Sequence, residues 1–145
     1  MLRQSYLSGG RGHILTHTGV NPAVGLNWGQ NLSSSTISRL LWIGFHLACN
    51  VNVIDRVLSV FCNNGTFSYF TNISSKVATA SDAFFYSFAL GQPYLDATAE
   101  ANMVQNSLAE QFLVLPGSHI DIAVANIQAG DQLSNIYFVT EEYFE

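Results

Sequence analysis

The sequence predicts an all-β protein: an antiparallel β-sandwich, jelly-roll-like, with an extended N-terminal arm. Three observations lead there. Turn signals recur roughly every ten residues, the spacing of short strands in sandwiches and barrels. Between them apolar residues alternate at period two, as in Ser118-His119-Ile120-Asp121-Ile122-Ala123-Val124, where Ile120, Ile122 and Val124 share one face. Only one window, 96–106, is compatible with a helix, and its apolar spacing is poor. At 145 residues the chain suits one domain that buries a core without disulfide staples.

Residues 1–35 are rich in turn formers: Ser8-Gly9-Gly10-Arg11-Gly12, Gly19-Val20-Asn21-Pro22 and Asn27-Trp28-Gly29-Gln30-Asn31. The apolar residues between them (Ile14, Leu15, Val20, Val24, Leu26) fit one or two short strands, or an arm laid across a neighbouring subunit. The expected division is an arm over 1–35 and a sandwich over 36–145.

From Thr36 the pattern turns β. Leu40 to Leu47 is nearly all apolar, as in a central strand covered on both faces, which puts Trp42 in the core. Arg56 to Cys62 alternates, and Asn63-Asn64-Gly65 ends it with a strong turn. A hairpin turning near Asn52 would pair these two strands in a register that keeps Cys49 and Cys62 apart, so both read as free thiols. Thr66 to Ile73 returns around Phe67 and Tyr69. Phe84, Tyr86 and Phe88 then share one face before Gly91-Gln92-Pro93. Gln111 to Leu115 runs into Pro116-Gly117, and Gln128-Ala129-Gly130-Asp131 turns into a last strand with Ile136 and Phe138 on one face. The end, Glu141-Glu142-Tyr143-Phe144-Glu145, is acidic and aromatic.

Composition narrows the function. Apolar residues make up 48% of the chain and charged residues only 10%, against about a quarter in ordinary soluble domains. Lys76 is the only lysine, and lysine is a common blocker of exposed strand edges. The net charge is −5, and Arg3, Arg11, Arg39, Arg56 and Lys76 are scattered. A nucleic-acid footprint needs a clustered basic stripe, and an anionic membrane needs the same. Neither partner is expected. The longest apolar run, Leu40 to Cys49, falls well short of the ~20 residues that span a bilayer. The N-terminus has no continuous apolar signal core, so synthesis is expected in a cytoplasm. Neutral, partly apolar faces and unprotected edges point to a protein that covers itself with copies or neighbours.

Catalytic patterns are weak. No phosphate loop, dinucleotide fingerprint, zinc-protease motif or nucleophile elbow appears. His13 and His17 are four apart, yet their Gly/Thr surroundings disfavour the helix that would align them. His119 and Asp121 share a strand face as a metal half-site would, and His46 is the only third ligand on an expected strand. His46, Cys49 and Asp55 are the residue types of a nucleophilic triad, though His46 reads better as a core histidine. No catalytic residue, metal ligand or cofactor site is therefore assigned. Trp28, in its Gly/Asn loop, is the one aromatic singled out for docking, joined by an exposed C-terminal pair, Tyr143 and Phe144.

Two stretches together resemble small all-β virion proteins of tailed bacteriophages, of the decoration, cement or head–tail accessory kind. One is Cys49-Asn50-Val51-Asn52-Val53-Ile54-Asp55-Arg56-Val57-Leu58-Ser59-Val60. The other is Leu113-Val114-Leu115-Pro116-Gly117-Ser118-His119-Ile120, followed by Asn126-Ile127-Gln128-Ala129-Gly130-Asp131 and the acidic last strand. The resemblance spans roughly residues 37 to 142 and carries no catalytic residue. It implies a virion location, a homo-oligomer, no cofactor, and partners such as a major capsid or neck/tail protein. The alternative expectation is a carbohydrate- or receptor-binding sandwich using Trp28 with Asn27 and Asn31. An enzyme on the same scaffold would need His46, His119 and Asp121 to converge.

Overall fold

The computed structural model describes residues 12–32, 34–94, 102–110 and 112–144, with the backbone alone for Phe144. Among them are ten strands and no helix: β1 (His13–Thr18), β2 (Trp28–Asn31), β3 (Thr36–Ala48), β4 (Val57–Asn63), β5 (Ser68–Ile73), β6 (Ala83–Leu90), β7 (Met103–Leu108), β8 (Leu113–Val114), β9 (His119–Ala125) and β10 (Gln132–Phe144). They form a β-sandwich of two sheets. Sheet A runs β1-β10-β3-β6-β7, with β8 beside β3, and sheet B runs β2-β9-β4-β5. Every pairing is antiparallel except β6 with β7, which is parallel.

Alternation decides which residues meet between the sheets. Ile43, Phe45 and Leu47 of β3, Tyr86 and Phe88 of β6 and Phe138 of β10 point inward from sheet A, all with no exposed surface. Leu58, Val60 and Cys62 of β4 and Ile120 and Ile122 of β9 answer from sheet B, equally buried. Phe45 stacks between Tyr86 and Phe88, with ring centroids 5.8 and 6.1 Å away. Each such side chain contributes about 1.5–3 kcal/mol by leaving water, so this layer is the main reason the two sheets stay together. The turn expected at Asn63-Asn64-Gly65 joins β4 to β5. Gly65 takes φ +89°, and the Asn63 and Asn64 side chains accept from the backbone N–H groups of Gly65 and Thr66.

Four expectations change. β3 and β4 are not a hairpin: β3 belongs to sheet A and β4 to sheet B, and β4 pairs with β5 and β9. The 49–56 connection crosses between sheets, so Cys62 lies opposite Ile120 and Tyr69 instead of a β3 residue. Both cysteines are free. The segment expected as an arm enters the sandwich from His13 onward, β1 pairing with β10 and β2 with β9; residues 1–11 lie outside the described set. The helix-compatible window is strand from Met103, because Val104 fills a core position opposite Tyr86; 95–101 also lie outside the described residues. Finally, Trp42 is not core. It sits on the outer face of β3, where a continuous apolar run hides which side is inward.

Candidate functional site

Of the three residues singled out for docking, Trp28 and Tyr143 are buried, and the side chain of Phe144 lies outside the described set. Trp28 opens β2, pairs with Ile122 and is 6% exposed, its ring edge-on to Phe138 at 5.9 Å. Gly19 fits only because it has no side chain, since a Cβ there would stand 2.8 Å from the Trp28 ring. Tyr143 is buried at 3% on β10, not exposed. Burial pushes its phenol up to about 12, helped by a hydrogen bond to Glu141. Phe144 pairs its backbone with Thr36. Strand pairing with β9 and β3 is what draws Trp28 and Tyr143 inward. A cleft of about 480 Å³ lies beside Trp28, lined by Thr18, Asn21, Asn27 and Gln30 among others. The indole ring face is not open to it as a stacking platform.

The chemical constellations are separated by the two-sheet architecture. His46 is on the outer face of sheet A, whereas His119 and Asp121 are on the outer face of sheet B. His119 Nδ1 is 2.8 Å from Asp121 Oδ2, and burial pushes the Asp121 carboxyl upward while His119 pulls it down. Among the described residues no group of three or more His, Cys, Asp or Glu side chains is placed to hold a metal. Burial pushes the Cys49 thiol up to about 11 and raises Cys62 further, which leaves both as poor nucleophiles. His17 stacks on Phe138 at 4.5 Å, donates to or accepts from Thr140 at 2.8 Å and stands 3.6 Å from the Glu142 carboxylate, tying edge strand β1 to β10.

Two features were missed in the sequence. The first is a fully buried ion pair. Arg56 and Asp131 have no exposed surface, and the guanidinium meets the carboxylate in two bonds of 2.9 and 3.0 Å. Every remaining donor is used: Nη1 donates to the carbonyls of Asn52 and Ile54, and Nη2 to the Asn50 side chain. Asp131 also accepts from the backbone N–H of Asn50 and of Gln128. Burial alone would raise the Asp131 pKa, but these bonds outweigh it and hold the carboxyl below its usual value. Arg56 precedes β4 of sheet B and Asp131 precedes β10 of sheet A, so the pair fastens one sheet to the other. It also fixes the loops at that end. Gly25 donates to the Asp131 carbonyl, and Asn50 accepts from Ser81. On those loops Val20, Val24, Leu26, Val51, Val53 and Ile54 stand 40–89% exposed.

The second is the outer face of sheet A. Cross-strand rows run Thr18–Tyr137–Gly44–Ser87–Gln105 and Thr16–Val139–Trp42–Ala89–Ser107, with Ser134–His46–Phe85–Met103 beside them. No Asp, Glu, Lys or Arg occurs in these rows. The rings of Trp42 and Phe85 converge over Gly44, where a Cβ would lie 2.7 Å from Phe85 and closer still to Trp42. The Trp42 indole donates to Ser87 Oγ at 2.9 Å, so even its polar atom is satisfied within the face. Charge returns only one row further on, where Arg39 pairs with Glu141.

Fold and surfaces together define a two-sheet β-sandwich with an uncharged outer face and an apolar loop end. No protein-family model, no curated protein and no solved structure matches the chain.

Proposed function

We propose that this is a non-enzymatic structural protein that works by association, with itself and with neighbouring subunits of a tailed-phage particle. The observation that carries the reading is the loop end. Six large aliphatic side chains stand exposed on loops immobilised by the buried Arg56–Asp131 pair. Solvating apolar side chains is unfavourable, and holding them rigid removes much of the ordering cost of binding, so the arrangement suits contact with a fixed neighbour. In a symmetric particle each such contact repeats, and many weak ones add to strong retention. The sheet order β1-β10-β3-β6 facing β2-β9-β4-β5 supports the jelly-roll reading of the sandwich. The resemblance noted at 49–60 and 113–131 covers this loop end.

Light scattering across protein concentration tests the proposal. Stable or concentration-dependent oligomers are expected, and the combined Val51→Ser, Val53→Ser, Ile54→Ser variant should lose contacts to particle neighbours. A monomer at every concentration would sink it. The carbohydrate-binding alternative keeps the amide-lined cleft beside Trp28 but lacks an open ring there. A glycan array with specific hits that Asn27→Ala abolishes would revive it.

A further inference from the structure

We infer that Asn64 is a self-modification site: its side-chain amide is converted, without an enzyme, to aspartate and isoaspartate through a cyclic imide formed with the Gly65 nitrogen. Residue order and turn geometry converge on this one asparagine.

Of all the asparagines in the chain, only Asn64 is followed by glycine. The following residue matters because its backbone nitrogen is the nucleophile. That nitrogen closes a five-membered ring on Cγ of the asparagine, and a Cβ beside it crowds the approach. Gly65 stands at φ +89°, a conformation that residues with a side chain rarely adopt. The turn between β4 and β5 thus demands the one residue that leaves its nitrogen unshielded. A Cβ placed on Gly65 would meet nothing within 4 Å, so water and hydroxide have free access. Asn64, Gly65 and Thr66 are all exposed.

The hydrogen bonds prepare both partners. Asn64 Oδ1 accepts from the backbone N–H of Thr66 at 3.0 Å and from that of Phe67 at 3.1 Å. These bonds fold the amide back along the Gly65 peptide instead of letting it point into solvent. They also set two donors on the oxygen that gains negative charge when Cγ is attacked, the arrangement that stabilises tetrahedral intermediates of acyl transfer. The Gly65 N–H donates to Asn63 Oδ1 at 2.6 Å. That bond lies in the peptide plane. It fixes the orientation of the peptide and leaves the face of the nitrogen open to Cγ.

Water is the only co-reactant the steps need, and nothing is oxidised or reduced. Hydroxide takes the Gly65 amide proton, and the nitrogen bonds to Asn64 Cγ. The bond from Cγ to the side-chain nitrogen breaks, and that nitrogen takes a proton from water and leaves as ammonia, restoring the hydroxide. Water then opens the imide. Cleavage of the new bond gives aspartate, whereas cleavage of the original peptide bond gives isoaspartate, with the chain rerouted through Cβ and Cγ. Either product adds one carboxylate to a chain of net charge −5. In isoaspartate the oxygen that holds Thr66 and Phe67 becomes part of the main chain, so the turn loses its side-chain bonds. Arg56 lies just before β4 and Asn64 just after it, so the change falls at the far end of sheet B from the apolar loops.

The test is to hold the folded full-length protein in mildly alkaline buffer made with heavy-oxygen water and to map its peptides over time. The peptide carrying residue 64 should be the first to change, as paired aspartate and isoaspartate forms that each hold one labelled oxygen, at a rate that rises with hydroxide. Gly65→Ala should slow the change about tenfold. Because that variant also disturbs the turn, Asn64→Gln serves as the second. It leaves Gly65 in place and should abolish the change, since attack would need a six-membered ring. An unchanged wild-type peptide, a first change at another asparagine, or aspartate without isoaspartate would each overturn the inference. So would a folded-state rate more than about tenfold below that of the same chain unfolded in urea, because the turn would then protect Asn64 instead of preparing it.

Discussion

The outer faces of the two sheets obey different rules. On sheet B Ile120, Ile122 and Val124 point in, and the charged pair His119 and Asp121 points out beside Asn63, Ser59 and Phe61, with Ile73 exposed on the same face. On sheet A the outer rows mix Trp42, Phe85, Tyr137, Val139 and Met103 with uncharged polar residues, and among the described residues charge appears one row further on, in the Arg39–Glu141 pair. Each outer face holds one glycine beneath a larger group. Gly29 lies under the Asp121 carboxylate, whereas Gly44 lies under the rings of Trp42 and Phe85.

The contrast can be broken most severely at the ion pair that joins the sheets. Asp131→Asn leaves the Arg56 guanidinium buried without its counter-charge, and unfolding in urea should show a loss of about 3–5 kcal/mol. The same carboxylate sets the acid limit. Its folded pKa lies below the unfolded value, so its stabilisation is complete above roughly pH 4 and is lost as pH falls through the folded pKa. Wild type should therefore lose stability on acidification more steeply than Asp131→Asn; parallel profiles would contradict the bond network.

The glycines give the next largest effect. Gly44→Ala forces two packed rings apart and should cost about 1–3 kcal/mol, with a shift in Trp42 emission. Gly29→Ala meets only the far end of one side chain, which can swing away, so its cost should stay within about 0.5 kcal/mol. Equal losses at both positions would mean that the two faces are packed alike. The smallest effect belongs to Asp121. Its raised pKa has the opposite sign from that of Asp131: its contribution is present below the unfolded pKa and lost as pH rises through the folded one. Asp121→Asn should thus leave neutral-pH stability unchanged or raised by less than ~1 kcal/mol, and a marked destabilisation would show the His119 contact to be worth more than the burial it opposes.

The legible parts of the molecule were those with a clear period. Strand β9 and the Ile136 and Phe138 side of β10 follow from alternation alone, and the Asn63-Asn64-Gly65 turn from its residues. Strand β3 was visible as a strand but not as a surface, since a run in which nearly every residue is apolar carries no phase to say which side faces out. Trp42 was misplaced for that reason. Trp28 and Tyr143 were misplaced for another: their burial comes from pairing with β9 and β3, partners remote in sequence. The Arg56–Asp131 pair spans 75 residues, and Asp131 by itself looks like any turn aspartate. Asp55, adjacent to Arg56, was the nearer partner in sequence. It is exposed instead, its carbonyl held by Asn126.

One feature of the topology governs how such a protein comes to be made. Strand β10, the last 13-residue strand described, lies between β1 and β3 in sheet A. Among the described strands, β1 therefore has no neighbour in its sheet until β10 has been synthesised. Pairings of that separation form late, because a long loop must close before any of them is rewarded. A chain cut short before Gln132 lacks the strand that carries Tyr137 and Val139, so it has neither a finished core nor the neutral face.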